Sequence, residues 1–243
     1  MSAEVRTTRR TPPVAMVTGA GRGIGRATAE AFAAEGYAVA LAELRPGLGR
    51  RTERKLRAAG ATARFFRTDV RDARWVAQTV RATLRRFGRL DCVVNNAGVL
   101  DAAPLVELSV AQIDRMLAVN LRGPLIVARA VLPALLRQGA GSIINVSSQL
   151  GKFGAGDYVT YCATKFGVVG LSEALAMELA GTGVRVWAVC PGLVDTQMAR
   201  RAVGLSPRER VGLLRPERVA RVIVDLATGR RRAARGAAVD VVR

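Results

Sequence analysis

The residues of this chain best suited to proton transfer are Tyr161 and Lys165, in the stretch YCATK. The chain contains no His, so the side chain that most often performs general acid–base catalysis is absent. Residues four apart share one face of a helix, so both side chains can point into the same cleft. A free Tyr has a pKa of about 10, and a nearby ammonium lowers it by favouring the phenolate. The pair predicts a Tyr acid/base assisted by Lys; the alternative is a packing tyrosine that meets a surface lysine by chance.

Two further polar residues could act with this pair. Ser148 lies 13 residues before Tyr161, at the end of an apolar run. Asn120 sits among apolar neighbours in a predicted helix, where a polar side chain is unexpected.

Short apolar runs alternate with longer helical patterns along the chain. The runs are rich in β-branched residues and apolar on both faces, which is typical of parallel strands covered on both sides. Alternation without a linker predicts a single α/β domain, with one doubly wound parallel sheet and helices on both of its faces. The predicted strands are 14–18, 38–43, 92–96, 142–147 and 184–190, with another before Asp69, and the predicted helices lie near 24–35, 47–59, 72–87, 109–137 and 158–180.

A glycine-rich turn, TGAGRGIG from Thr18 to Gly25, lies between the first strand and the first helix. Glycines let the backbone turn tightly and approach a pyrophosphate, and the helix that follows presents its positive N-terminus. Such a turn can also be no more than a turn. Its place at the start of the domain favours a dinucleotide site.

Polar residues follow the next three strands as well. Glu43 ends the second strand, where dinucleotide-binding sheets place an acidic residue on the adenosine ribose; the alternative is an ordinary strand-end charge. Asp69 could accept a hydrogen bond from the adenine amine or cap the next helix. The stretch NNAG, from Asn95 to Gly98, suits close approach of a ligand or a simple turn. Open α/β sheets bind ligands at these carboxyl ends.

Composition excludes several classes of protein. Without His there is no Ser-His-Asp hydrolase, and without a Cys or His cluster no zinc or haem site is expected. Three unpaired Cys residues indicate a reducing, cytoplasmic setting. The first 13 residues form a basic tail that we expect to be disordered, not a secretory signal, and no segment is expected to span a membrane. The formal charge of +19 comes from arginines in small clusters along the chain, which we interpret as a solvated surface.

The glycine motif, NNAG, Ser148, Tyr161-x-x-x-Lys165 and PGLVDT occur in an order and spacing that resemble the short-chain dehydrogenase/reductase family, in particular its 3-oxoacyl-thioester reductase-like branch. The resemblance implies a Rossmann-like fold over residues 14–243. It also implies that Tyr161 is the acid/base, Ser148 holds the substrate oxygen and Asn120 anchors a relay water. In the family register Ser147 and Tyr158 are the weaker candidates.

The resemblance further implies a nicotinamide cofactor, with Lys165 on the nicotinamide ribose and lowering the pKa of Tyr161. The substrate would be a small carbonyl compound or secondary alcohol under a lid at about 197–215. The implied cofactor residues are Gly19, Arg22, Gly23, Ile24, Gly25, Glu43, Asp69, Val70, Asn96, Ala97, Gly98, Tyr161, Lys165, Pro191, Gly192, Val194 and Thr196, and the expected substrate residues are Gln149, Leu150, Phe153, Leu193 and Met198.

Three expectations follow for cofactor, assembly and class. Glu43 predicts a preference for NAD(H), because its charge would repel the 2′-phosphate of NADP(H), although Arg22 or Arg45 could pair with that phosphate. Helices 109–137 and 158–180 are apolar nearly all round, which predicts a homo-oligomer, a tetramer or else a dimer, unless a C-terminal segment covers them. The alternative to an enzyme is a dinucleotide-sensing or nucleic-acid-associated protein on the same scaffold.

Overall fold

One parallel sheet of seven strands forms the centre of the molecule, in the order β3-β2-β1-β4-β5-β6-β7. The computed structural model describes residues 11–204 and 212–242. The chain reverses its direction of travel across the sheet between β1 and β4, which makes the sheet doubly wound and opens a crevice at that point. The strands are β1 Val14–Thr18, β2 Ala38–Glu43, β3 Ala63–Arg67, β4 Cys92–Asn95, β5 Gly141–Val146, β6 Val184–Pro191 and β7 Ala238–Val241.

Eight α-helices surround the sheet within the described residues. They are α1 Gly23–Ala34, α2 Pro46–Ala58, α3 Ala73–Phe87, α4 Val110–Leu117, α5 Gly123–Gln138, α6 Val159–Glu178, α7 Gln197–Val203 and α8 Pro216–Thr228. The predicted single-domain doubly wound fold is confirmed, and the predicted strands agree with the observed ones to within a residue or so. The predicted helix 109–137 is α4 and α5 joined by a π-helical turn, Ala118–Arg122.

Two apolar cores, one on each face, hold the helices on the sheet. On one face, Phe32 of α1 and Ile223 of α8 pack against alternate residues of the central strands. On the other face, Val80 of α3, Leu135 of α5 and Leu175 of α6 do the same. Every residue of β1 and β2 is buried, because both faces of these strands are covered. The strands thus form a rigid frame whose carboxyl ends can position side chains.

The C-terminal part of the chain was not predicted in detail. Strand β7 pairs with β6 and completes one edge of the sheet, and α8 packs against α1. The expected tail 1–13 and lid 197–215 extend into residues 1–10 and 205–211, which lie outside the described residues. The described part of the lid segment contains α7 and a bridge between Val194 and Leu214.

One helical run, Val110–Gln138, is long and apolar enough to cross a membrane by length and composition alone. In the fold this run includes α5, which packs against the sheet through Val127, Val131 and Leu135. Core helices pass the same test, so the run does not by itself indicate a membrane protein.

Candidate active site

A cavity of about 380 Å³ lies at the carboxyl ends of the central strands. One end is formed by the glycine turn after β1 and by Glu43 at the end of β2, and the other by Tyr161 and Lys165 of α6. Thirteen of the predicted cofactor residues line it, namely Gly19, Arg22, Gly23, Ile24, Glu43, Asp69, Val70, Asn96, Ala97, Gly98, Tyr161, Lys165 and Thr196. The fold therefore brings most of the predicted cofactor residues to one place.

The conformation of the glycine turn allows a ligand to come close to its backbone. Gly19 has φ +64°, a left-handed conformation that favours glycine. A Cβ on Gly25 would lie 2.2 Å from the carbonyl oxygen of Gly19, so no side chain fits there. Asn96, expected near the ligand, also braces the turn, because its Nδ2 donates to the carbonyl oxygens of Thr18 (2.9 Å) and Gly19 (3.3 Å). Helix α1 starts at this turn with no side-chain cap, which leaves its first N–H groups free to bind a phosphate.

The Glu43 carboxylate is buried beside the glycine turn. Its Oε2 accepts a hydrogen bond from the Gly21 N–H (3.0 Å), and its Oε1 accepts one from the Arg45 N–H (2.9 Å). Each oxygen keeps a second lone pair for a ligand hydroxyl. Arg22 and Arg45 line the cavity as well. Burial and repulsion from Arg45 lower the pKa of Arg22, while the charge of Glu43 acts in the opposite direction.

Asp69 lines the cavity and does not cap α3. The helix is capped by Asp72, whose carboxylate accepts the N–H groups of Arg74 (2.7 Å) and Trp75 (3.3 Å). Asp69 instead accepts hydrogen bonds from the Arg71 guanidinium, the shortest at 2.6 Å, and from the Arg71 N–H. These bonds lower the pKa of Asp69 and hold its carboxylate at the cavity wall.

Tyr161 lines the opposite end of the cavity, and Ser148 interacts with its phenol but does not itself line the cavity. Tyr161 lies in the first turn of α6, and Ser148 follows β5 by two residues. The Ser148 side chain hydrogen-bonds the Tyr161 phenol, an interaction that lowers the pKa of Tyr161. The Ser147 hydroxyl instead donates to the carbonyl oxygen of Lys165 (2.8 Å). Ser148 therefore contacts the phenol while Ser147 lines the cavity, and the choice of Ser148 as the substrate-binding hydroxyl stays a prediction.

Lys165 is buried beside the tyrosine ring. Its Nζ donates to the Val146 carbonyl oxygen (2.9 Å) and lies 5.4 Å from the centre of the Tyr161 ring. Burial lowers the pKa of Lys165 to about 8, and the charge of Cys190 raises it slightly. Burial also raises the pKa of Tyr161 and outweighs the Ser148 hydrogen bond. The expectation that Lys165 lowers the pKa of Tyr161 is not met in this structure, because desolvation dominates at both side chains.

Asn120 lies in the π-helical turn, and its side chain makes three hydrogen bonds. Its Oδ1 accepts the Val99 N–H (2.8 Å), and its Nδ2 donates to the Val99 carbonyl oxygen (2.8 Å) and to Thr164 (3.3 Å). It therefore ties the loop after β4 to α6. The Oδ1 atom keeps a second lone pair, and the role of Asn120 in holding a relay water stays a prediction.

The predicted residues after β6 divide into two groups. Thr196 lines the cavity, and its hydroxyl accepts the Ala199 N–H (3.2 Å) as the cap of α7. Pro191, Gly192 and Val194 lie outside the cavity lining, as does Gly25. Pro191 and Gly192 continue β6 towards the site, where Gly192 N–H donates to the Val241 carbonyl oxygen (3.0 Å).

Of the five expected substrate residues, only Met198 lines the cavity. Phe153 is 52% exposed and Leu193 is 43% exposed. Leu150 uses its N–H to bind the Ser148 hydroxyl (3.1 Å). Gln149 donates its side-chain amide to Asp240 (3.0 Å) on β7. These four residues lie outside this cavity, and their contact with a substrate stays a prediction.

Asp240 connects β7 to the turn that follows Ser148. Besides Gln149, it pairs with Lys152 across 2.7 Å, and Lys152 also donates to the Ala238 carbonyl oxygen (3.0 Å). Gln149 and Lys152 lie on either side of the 3-10 turn Gln149–Gly151. These contacts hold the segment that carries Ser148 against the C-terminal strand.

Some cavity residues were missed by sequence reasoning. The missed residues at the ends of strands or the start of α7 are Leu44, Thr68, Arg71, Val99, Val146 and Gln197, whereas Arg115 and Val119 come from the helical run after β4. Arg45 and Ser147, considered above as alternatives, line the cavity as well. The first group could have been found by extending each predicted strand end by a residue or two. No sequence pattern near Arg115 indicates a site residue, because only the tertiary fold brings α4 to the cavity.

Comparison with known proteins agrees with this site. The family described as short chain dehydrogenase matches residues 13–204. A D-threitol dehydrogenase of Mycolicibacterium smegmatis is 41% identical over 78% of this chain and 73% of its own. A 3-oxoacyl-[acyl-carrier-protein] reductase of Thermotoga maritima is 34% identical over 88% of this chain and 90% of its own. The crystal structure of levodione reductase has a TM-score of 0.89 and 30% identity, and the match covers 96% of this chain and 97% of that one.

This chain belongs to the short-chain dehydrogenase/reductase family. It is accordingly a dehydrogenase or reductase, of a class that acts on alcohols and carbonyl compounds with NAD(P)(H).

Proposed function

We propose that this protein transfers a hydride between NAD(P)(H) and a small carbonyl compound or secondary alcohol, with Tyr161 as general acid/base. The observation that carries the proposal is that Tyr161 and Lys165 line one end of a cavity that has a glycine turn at the other, with Ser148 beside the Tyr161 phenol. A phosphate site and a proton-transfer site at the two ends of one cavity suit a dinucleotide that reacts at its far end.

In this mechanism the protein's own groups position the substrate and move the proton. The Ser148 hydroxyl, already bonded to the phenol, would also bind the substrate oxygen. Tyr161 would donate its proton to that oxygen in reduction and accept one from the alcohol in oxidation. Lys165 would lie next to the phenol as an ammonium near neutral pH, because its pKa is about 8. Bound NAD(H) would supply the hydride donor or acceptor.

The residues present fit a dinucleotide. The uncapped N-terminus of α1 and the turn at Gly19 would bind the pyrophosphate. Glu43 retains acceptor capacity for the ribose hydroxyls, and Asp69 is held at the cavity wall for the adenine. Thr196 also lines the cavity, and the family resemblance assigns it to the nicotinamide carboxamide.

We further propose that NAD(H) is preferred over NADP(H). The Glu43 carboxylate is buried, so repulsion of a 2′-phosphate there is weakly screened and costs affinity. Arg22 and Arg45 oppose this, since both line the same end of the cavity. The balance favours NAD(H), because Glu43 is fixed by two backbone N–H groups, whereas the Arg22 guanidinium already bonds Gln197 (2.5 Å).

The test is the ratio of kcat/KM for NAD(H) to that for NADP(H), in the native protein and in Glu43→Gln. The variant keeps the shape of the side chain and one acceptor while removing the charge, so we expect the ratio to fall at least about tenfold. Glu35→Gln is the matched control, because Glu35 pairs with Arg230 away from the cavity. A native preference for NADP(H), or equal ratios in the native protein and Glu43→Gln, would reject the assignment.

The activity itself is tested by a screen of ketones and secondary alcohols with both cofactors, followed by the absorbance of the reduced nicotinamide. Turnover with any substrate, abolished by Tyr161→Phe, supports the proposal. The alternative of a dinucleotide sensor predicts tight cofactor binding and no turnover across the whole screen. That outcome would replace the enzymatic proposal with the sensing one.

We also propose that the protein is a homo-oligomer, a tetramer or else a dimer. Seven large apolar side chains on α4, α5 and α6 remain exposed, namely Val110 (72%), Leu117 (38%), Leu125 (47%), Leu136 (44%), Val159 (46%), Phe166 (45%) and Met177 (73%). The described C-terminal segment pairs with β6 and packs on α1 and does not cover them. Light scattering at micromolar concentration checks this, and a monomer there would contradict it.

A further inference from the structure

The positive charge of the protein is concentrated at one edge of the sheet. Residues 46–87, which form α2, β3 and α3, contain twelve Lys or Arg and three Asp or Glu, a formal charge of +9 out of +19 for the whole chain. Strand β3 is the terminal strand of the sheet on this side. We call this surface, residues 46–87, the basic edge.

A pocket of about 300 Å³ opens in the basic edge. Its lining residues are Arg57, Ala61, Thr62, Ala63, Arg64 and Arg86, with no acidic residue among them. The three arginines come from three different elements: the last turn of α2, the second position of β3 and the last turn of α3. Three arginine residues from different elements therefore line one pocket.

Internal partners leave most of this charge uncompensated. Arg64 lies 3.7 Å from Glu53, beyond hydrogen-bond distance. Arg86 stacks on Phe87, with 5.5 Å between the guanidinium and the ring centre. Within residues 11–204 and 212–242, Arg57 has no side-chain partner. Arranged in this way, the guanidinium groups repel one another and have donors to spare.

Ordinary structural roles explain why each arginine occurs in its own element, but they do not explain why all three line the same pocket. A cation in the last turn of α2 or α3 interacts favourably with the helix dipole, and a charge on an edge strand discourages pairing with another chain. Neither role requires the three groups to line the same pocket. A multivalent anion would remove their repulsion and accept their hydrogen bonds, often two from each guanidinium.

We propose that this pocket is a second binding site, for a small phosphate-bearing anion with two or more negative charges. It lies where α2 ends, β3 begins and α3 ends, which is the amino end of the parallel sheet. The cofactor cavity lies at the opposite, carboxyl end. The two sites are therefore separate, and this proposal does not depend on the proposed enzymatic function.

The test is calorimetric titration of the full chain with pyrophosphate, with inorganic phosphate as the weaker ligand. The pocket variants are Arg57→Gln and Arg86→Gln, and the matched controls are Arg54→Gln and Arg85→Gln, exposed residues of the same two helices that do not line the pocket. All four variants change the net charge equally. We expect each pocket variant to weaken pyrophosphate binding about tenfold or more, and each control less than about twofold.

Thermal melts show that each variant is folded, and pyrophosphate should raise the melting temperature of the native protein and of the controls but not of Arg57→Gln/Arg86→Gln. Arg22→Gln separates the two cavities, since Arg22 lines the cofactor cavity alone. The proposal is overturned if Arg22→Gln, but not the pocket variants, abolishes binding. It is equally overturned if all four variants lose affinity alike, which would indicate diffuse charge, or if a DNA duplex binds through these arginines and pyrophosphate does not.

Discussion

Replacing Lys165 with Met should change how the stability of the protein depends on pH. Lys165 is only 5% exposed, and its pKa falls from an ordinary 10.5 to about 8 in the folded protein. Between these two values the unfolded chain binds a proton that the folded protein does not, so stability rises as pH increases. From pH 7 to pH 10 this single group should add roughly 2–3 kcal/mol to the free energy of unfolding. The Lys165→Met variant keeps the apolar part of the side chain but has no amine to titrate. Its free energy of unfolding should therefore not show this increase.

The assay is urea unfolding of the native protein and the variant at several pH values from 7 to 10, without cofactor. Subtracting the two curves cancels the contributions of the other titrating groups, including the cysteines and Tyr161. Lys55→Met serves as the control, because the Lys55 side chain is 63% exposed, and its difference curve should be nearly flat. A flat difference curve for Lys165→Met as well would show that Lys165 is hydrated and that the reasoning from burial is wrong.

Three other perturbations test particular contacts of the site. Asp240→Asn removes the ion pair with Lys152, and we expect kcat to fall several-fold with an unchanged Kd for the cofactor; an unchanged kcat would mean that this contact does not position the Ser148 segment. Ser148→Ala should lower kcat by about 10²-fold, again with cofactor binding retained, and a loss below about threefold would contradict its role. Gly25→Ala places a Cβ 2.2 Å from the Gly19 carbonyl oxygen, so calorimetry should show loss of cofactor binding in a protein that melts cooperatively, and normal binding would contradict the tight turn.

The fold and much of the site could be predicted because they depend on local patterns. The central strands are buried on both faces, so they are continuous apolar runs that the sequence displays directly. Polar residues placed just after such runs, including Glu43 and Asn96, reach the cavity because parallel strands end at the same side of the sheet.

The remaining features depend on contacts between distant parts of the chain. Asp240 and Gln149 are 91 positions apart, and nothing local to either residue indicates their hydrogen bond. Asp69 and Asp72 are both plausible caps for α3, and only the geometry assigns the cap to Asp72. The pKa values of Tyr161 and Lys165 depend on burial, which a spacing of four residues does not reveal.

Tyr161→Phe tests the central claim most directly, because it removes the phenol that would carry the proton and little else. Tyr158→Phe is the matched control, since Tyr158 lies just before α6 and does not line the cavity. For both variants, kcat with a substrate found in the screen and the Kd for NAD(H) should be measured. We expect Tyr161→Phe to lower kcat by about 10³-fold or more while its Kd for NAD(H) changes less than about threefold. In Tyr158→Phe, kcat and Kd should both stay near the native values. Turnover retained in Tyr161→Phe and lost in Tyr158→Phe would contradict the central claim.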